Sequence, residues 1–136
     1  MKEYEDSLAK KNIAAKLPKI ETWPNQFANY EIKIEIPEFT AVCPKTGLPD
    51  FGTVTVNYTP DKKCLELKSF KFYTLAYRNL GIFHENAVNR ILKDIVKAIK
   101  PSWAVVRGRF NTRGGMNTEV MATYGKVPGS GRQHCF

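Results

Sequence analysis

The chain has 136 residues, 43% of them hydrophobic and 25% charged, with 21 Lys and Arg against 13 Asp and Glu for a formal net charge of +8. That length suits one domain with one core, and the composition excludes a disordered or low-complexity chain. No apolar run approaches the roughly 20 residues of a membrane span.

Residues 1–19 are charged and carry no signal-peptide core. The three cysteines, Cys43, Cys64 and Cys135, are too scattered for a disulfide framework, so a reducing, cytoplasmic setting is expected. The positive balance favours anions: nucleic acid, phosphorylated cofactors or acidic surfaces. Much of it is dispersed lysine, which is also how an ordinary solvated surface looks, and no direct nucleic-acid binding is expected.

Residues 1–30 read as an N-terminal arm. A short helix is expected over 6–17, broken by Pro18 and Pro24, with Leu17, Ile20, Trp23 and Phe27 docking on the domain. Over 31–38, Ile32, Ile34 and Ile36 alternate with charged residues, which predicts a strand with one buried face, weakened at its end by Pro37. Residues 41–51 hold two prolines and a glycine and are expected as a turn-rich loop. Val54, Val56 and Tyr58 alternate again, giving a second strand antiparallel to the first.

Residues 64–67 read as extended or transitional. Ser69 is a plausible N-cap for a helix carrying Phe70, Tyr73, Tyr77 and Leu80, with Gly81 as its C-cap. The strongest helix is 84–100, with Val88, Ile91, Leu92, Ile95, Val96 and Ile99 in one stripe and Pro101 ending it. Strands follow over 103–110 and 117–124, joined by a loop that contains Gly114 and Gly115. Trp103, Val105, Arg107 and Arg109 share one face of the first of these strands. The order β-β-α-α-β-β predicts an α+β two-layer unit, with helices on one sheet face. Its open sheet edges need covering, and a homo-oligomeric ring joined edge to edge would cover them.

Cys43 and Asp50 stand seven positions apart in the expected loop. A cysteine is a nucleophile only as thiolate, so a neighbouring group must manage its proton, and Asp50 suits that task. The plainer reading is a small buried side chain or an idle thiol. His84 and Glu85 open the long helix. Glu85 is also an ordinary first-turn carboxylate beside a helix dipole, and a lone histidine is more often structural. Cys43, Cys64, His84 and Cys135 show no metal-ligand spacing, and no metal is expected. There is no P-loop and no G-x-G-x-x-G.

Four stretches together carry a resemblance. They are Cys43-Pro44-Lys45-Thr46-Gly47 through Pro49-Asp50-Phe51; Glu66-Leu67-Lys68-Ser69-Phe70-Lys71-Phe72-Tyr73 with Tyr77-Arg78; Phe83-His84-Glu85; and Arg113-Gly114-Gly115. In this order they resemble the NADPH-dependent 7-cyano-7-deazaguanine reductases, the nitrile reductases of queuosine biosynthesis, in their single-module form. The resemblance covers roughly residues 30 to 125 and implies a tunnelling fold whose units close into ring barrels. The chain accordingly divides into an arm, 1–30, a catalytic domain, 31–125, and a tail, 126–136.

By that resemblance Cys43 adds to the nitrile and forms a thioimide, and Asp50 is the general acid-base. Leu65, Glu66, Leu67, His84 and Glu85 contact the 7-deazaguanine. A carboxylate such as Glu85 matches the side-by-side N–H donors of a guanine edge. Lys68, Lys71, Arg78 and Arg113, with Gly114 and Gly115 beside it, hold NADPH through its phosphates. The lysines also read as plain helix-surface charge. Three other readings compete: an archaeal-type amidine-forming enzyme acting on the same nitrile in tRNA, a basic nucleic-acid-binding module, and a pterin-related enzyme of the same fold.

Overall fold

A computed structural model describes residues 5–129. Four long strands form one antiparallel sheet in the order β2-β3-β5-β6: β2 is Ile32–Val42, β3 Pro49–Thr59, β5 Trp103–Arg113 and β6 Met116–Gly125. Two helices, α2 (Leu67–Leu75) and α3 (His84–Ile99), cover one face. A 3-10 turn, Ala76–Asn79, continues α2. A four-residue helix α1 (Asp6–Ala9) lies in the arm, and a small antiparallel pair joins β1 (Thr22–Pro24) to β4 (Lys63–Leu65). The expected β-β-α-α-β-β order is thus the backbone of the fold. Among the described residues, no helix is long and apolar enough to cross a membrane.

The core lies between the sheet and α3. Val88, Ile91, Ile95 and Ile99 are buried against Val54, Val56, Ala104, Val106 and Phe110. Each such side chain contributes about 1.5–3 kcal/mol by leaving water, which is why the periodic stripe was a reliable guide. The helix ends where expected: Lys100 turns left-handed with φ of 45° and Pro101 follows.

Other boundaries moved. The expected arm helix shrinks to α1 because Asn12 breaks it with a left-handed backbone. The arm is instead tied down by side chains: Arg90 of α3 donates to the carbonyls of Ile13 and Ala15, each at 2.7 Å, while Ile20 joins the core. The cap of α2 is Glu66, whose carboxylate accepts from the Lys68 and Ser69 amides at 2.8 and 2.9 Å. Ser69 sits inside the helix and donates its hydroxyl to the Glu66 carbonyl. Gly81 caps nothing. It forms a parallel bridge to Val42, which brings the start of α3 to the end of β2.

Pro37 does not end its strand. β2 runs on to Val42 through a bulge, since Ile36 pairs with Val54 but Phe39 pairs with Gly52. Three steps on β2 then match two on β3, and the inward-facing positions switch from even to odd numbers. Phe39 and Ala41 are consequently buried. The expected loop 41–51 shrinks to 43–48. A second bulge lies between Phe110 and Arg113 of β5, and the β5–β6 turn is only Gly114–Gly115, both with positive φ (55° and 78°) as a two-residue hairpin turn requires.

Candidate active site

Asp50 is the centre of the site. It pairs with Ala41 across the β2–β3 ladder and faces the helical side of the sheet, with its side chain only 7% exposed. A buried carboxylate needs partners to offset its lost hydration. Two elements supply them. Arg113, at the end of β5, donates from Nη1 to Oδ1. His84, the first residue of α3, brings Nε2 to 3.1 Å from Oδ2; the approach lies off the ring N–H axis, so this is a close polar contact and not an aligned hydrogen bond. The His84 ring lies flat on Phe110, with centroids 3.7 Å apart and planes 4° from parallel.

Cys43 follows the last residue of β2. Its amide donates to the Leu48 carbonyl at 2.8 Å and its carbonyl accepts from Gly47 at 2.9 Å, which closes the loop into a tight turn. Gly47, at φ of 74°, takes the left-handed conformation that the turn needs. The β2 register, carried one step further, puts Cys43 on the same face as Ala41 and Asp50. Burial pushes the thiol up, as does the charge of Asp50. Hydrogen bonds from the Thr46 hydroxyl and from the Thr46 and Lys45 amides outweigh both, and the thiol ends below its ordinary range.

A cavity of about 310 Å³ opens beside this cluster. Its lining includes Asp50, His84, Phe110 and Arg113, with Leu48 and Phe51 at its rim, both more than half exposed. Cys43 and Glu85 do not line it. Glu85 is exposed in the first turn of α3, one residue beyond His84.

The second expected set lies elsewhere in the protomer. Leu65 is buried and its amide donates to the Tyr58 hydroxyl at 3.1 Å; Glu66 caps α2 and Leu67 is exposed. Tyr58 and Asp50 are eight residues apart on β3, about 26 Å of strand. Cys64 belongs to that far end too, beside Tyr30 and Asn25. It therefore shares neither a metal nor a disulfide with Cys43 of the same protomer, and Cys135 lies outside the described residues. Lys68 and Lys71 stand one turn apart on the exposed side of α2, with Arg78 exposed on the 3-10 turn that follows. Gly114 forms the hairpin turn beyond Arg113. Sequence reasoning missed Thr46 as a donor to the sulfur and Phe110 as the platform under His84. Thr46 was legible as the residue three after Cys43; Phe110 looked like any core position of its strand.

The family model described as QueF-like protein matches residues 49–128, more than half of the chain. The chain is 56% identical over 124 residues to the NADPH-dependent 7-cyano-7-deazaguanine reductase of Elusimicrobium minutum, covering 90% of this chain and 94% of that protein. The protein of the same description from Chloroherpeton thalassium is 55% identical over 107 residues, covering 77% and 92%. Among solved structures, the archaeosine synthase QueF-Like in its apo form superposes with a TM-score of 0.69 at 26% identity, over 75% of this chain and 100% of that one.

Proposed function

The chain belongs to the QueF-like family, among the NADPH-dependent 7-cyano-7-deazaguanine reductases, and from that premise we propose how its residues carry out the reaction. The fold is the tunnelling fold. The enzyme reduces the nitrile of 7-cyano-7-deazaguanine (preQ0) to the aminomethyl group of preQ1, in queuosine biosynthesis, with NADPH as reductant. A nitrile becomes a primary amine by gaining four electrons, hence two hydrides and two NADPH per turnover. The archaeal-type amidine-forming reading rests on the 26% likeness, against more than 50% for the reductases.

Cys43 is the nucleophile. Its sulfur adds to the electrophilic nitrile carbon, and its proton passes through Asp50 to the nitrile nitrogen, giving a thioimide on Cys43. NADPH, when bound, supplies one hydride to the thioimide carbon and a second to the imine left after sulfur departs. The two further protons that the reduction consumes come from water, and Asp50, reprotonated from it, delivers them to the departing sulfur and the product nitrogen. The observation that carries this reading is Asp50 itself: a buried carboxylate on the Cys43 face, opening on a cavity, whose charge the Cys43 thiol feels.

The cofactor's phosphates need cations, and this chain has them. Lys68, Lys71 and Arg78 form an exposed cationic row along α2 and the turn after it. Glu85 is exposed, which suits reading the base edge; His84 adds a ring beside the cavity. The Glu66 stretch, about 26 Å of strand away from Asp50, completes the same pocket only if a second copy contributes it. The open edges of β2 and β6, and exposed Leu67, Phe72 and Leu75 on α2, support a homo-oligomeric ring. The catalytic unit is residues 31–125, and the setting is the cytoplasm.

The test is intact mass after incubation with 7-cyano-7-deazaguanine and no NADPH. Wild type gains the mass of the substrate, Cys43→Ala does not, and neither Cys43→Ala nor Asp50→Asn oxidises NADPH at more than a trace rate. An adduct that survives Cys43→Ala refutes the assignment of the nucleophile.

A further inference from the structure

Arg113, expected to serve the cofactor, donates from Nη1 to Asp50. Two features of the chain put it there. Regular alternation along β5 would place Arg113 with Arg107 and Arg109 on the helix-free face. The bulge between Phe110 and Arg113 turns it over, to the face that Asp50 occupies. Gly114 and Gly115 then close the hairpin with two left-handed residues. An added Cβ would meet nothing within 4 Å at either, so these glycines supply backbone conformation and not room. The turn fixes the register, and the register aims Arg113.

The titratable and charged groups that face Asp50 come from three elements: His84 of α3 at Oδ2, Arg113 of β5 at Oδ1, and the Cys43 thiol at the end of β2. His84 is held by its stack on Phe110 and makes no aligned hydrogen bond to the carboxylate. Arg113 is thus the one directed hydrogen bond on Asp50 among the described side chains.

We propose that Arg113 is a positioning residue for the nitrile chemistry, acting through Asp50 by holding the carboxylate in the orientation from which it takes the Cys43 proton. This rests on the thioimide reading above. In the step concerned, the S–C bond forms, one C–N π bond breaks, and one proton moves from sulfur through Asp50 to nitrogen. No cofactor takes part, which separates this role from phosphate binding. A carboxylate displaced by about 1 Å loses on the order of 100-fold in such a step, and a partly exposed arginine controls only part of that.

The experiment follows adduct formation by rapid quench and intact mass, in full-length protein without NADPH, across substrate concentration. Arg113→Gln is expected to lower the limiting rate constant at least tenfold while leaving the half-saturating substrate concentration within twofold, and Arg113→Lys to recover part of the rate. An Arg113→Gln protein that forms adduct at the wild-type rate, with its only loss in NADPH affinity, overturns the proposal and leaves Arg113 a cofactor contact. A wild-type protein that forms no adduct overturns the thioimide reading, and the role of Arg113 with it.

Discussion

Phe110 holds the site together in a way that can be measured as a coupling. Its ring is 5% exposed, lies flat under His84 at 3.7 Å, and meets Phe39 edge-on at 6.5 Å and 72°. Aromatic pairs in such arrangements contribute about 0.5–1.5 kcal/mol beyond the area they bury. Phe110→Leu keeps most of the volume but loses both ring contacts, so it should cost about 1–3 kcal/mol. At about 3 °C per kcal/mol for a domain of this size, that is a fall in Tm of about 3–9 °C. The His84 share follows from a double-mutant cycle with Phe110→Leu, His84→Ala and both together. Urea unfolding would be followed by tryptophan fluorescence at one fixed protein concentration, so that any self-association is the same for all variants. The expected coupling is about 1 kcal/mol, fivefold in the unfolding constant. Independent sites add within about 0.3–0.5 kcal/mol. A coupling below about 0.3 kcal/mol would mean that the stack does not fix the imidazole, and Phe110 would not be the platform that holds His84.

Three further outcomes follow from the same geometry. Thr46→Val removes a donor that favours the Cys43 thiolate, so the thiol moves up; iodoacetamide labelling at neutral pH should slow, with the rate curve displaced to higher pH and its alkaline plateau unchanged. Asp50→Asn should displace the same curve to lower pH, since the Asp50 charge pushes the thiol up; displacement of both variants in one direction would contradict the assignment. Gly52→Ala would set a Cβ 2.5 Å from the Arg109 carbonyl oxygen and 3.0 Å from the Phe110 Cα, both backbone atoms that cannot swing aside. It should destabilise by about 1–3 kcal/mol in thermal or urea unfolding, and a neutral result would show that β3 and β5 can separate there.

What the sequence made legible was whatever repeats. The stripe of α3 and the alternation of β3 predicted which side chains face the helices, because facing in regular elements follows a fixed period; the period did not predict that Thr55, Asn57, Trp103 and Val105 on the other sheet face are buried as well. The four quoted motifs carried the family. What it hid were the two places where the period breaks. The first was in fact written in the chain: the apolar residues of β2 run Ile32, Ile34, Ile36 and then Phe39, Ala41, with Pro37 at the change of parity. Read as the end of a strand, Pro37 made a long loop of residues that continue the ladder. Read as a bulge, it puts Cys43 on the face of Asp50. The second break has no such trace, because Asn111, Thr112 and Arg113 are polar whichever way they point, and only the pairing with β6 reveals the extra residue. Backbone irregularities therefore bring two odd-numbered residues, Cys43 and Arg113, onto the even-numbered face of Asp50, where Arg113 bonds the carboxylate. A chain with the same motifs but regular strands would direct its cysteine and its arginine away from the carboxylate. The one-residue offsets are thus as much a part of the site as the residues they turn.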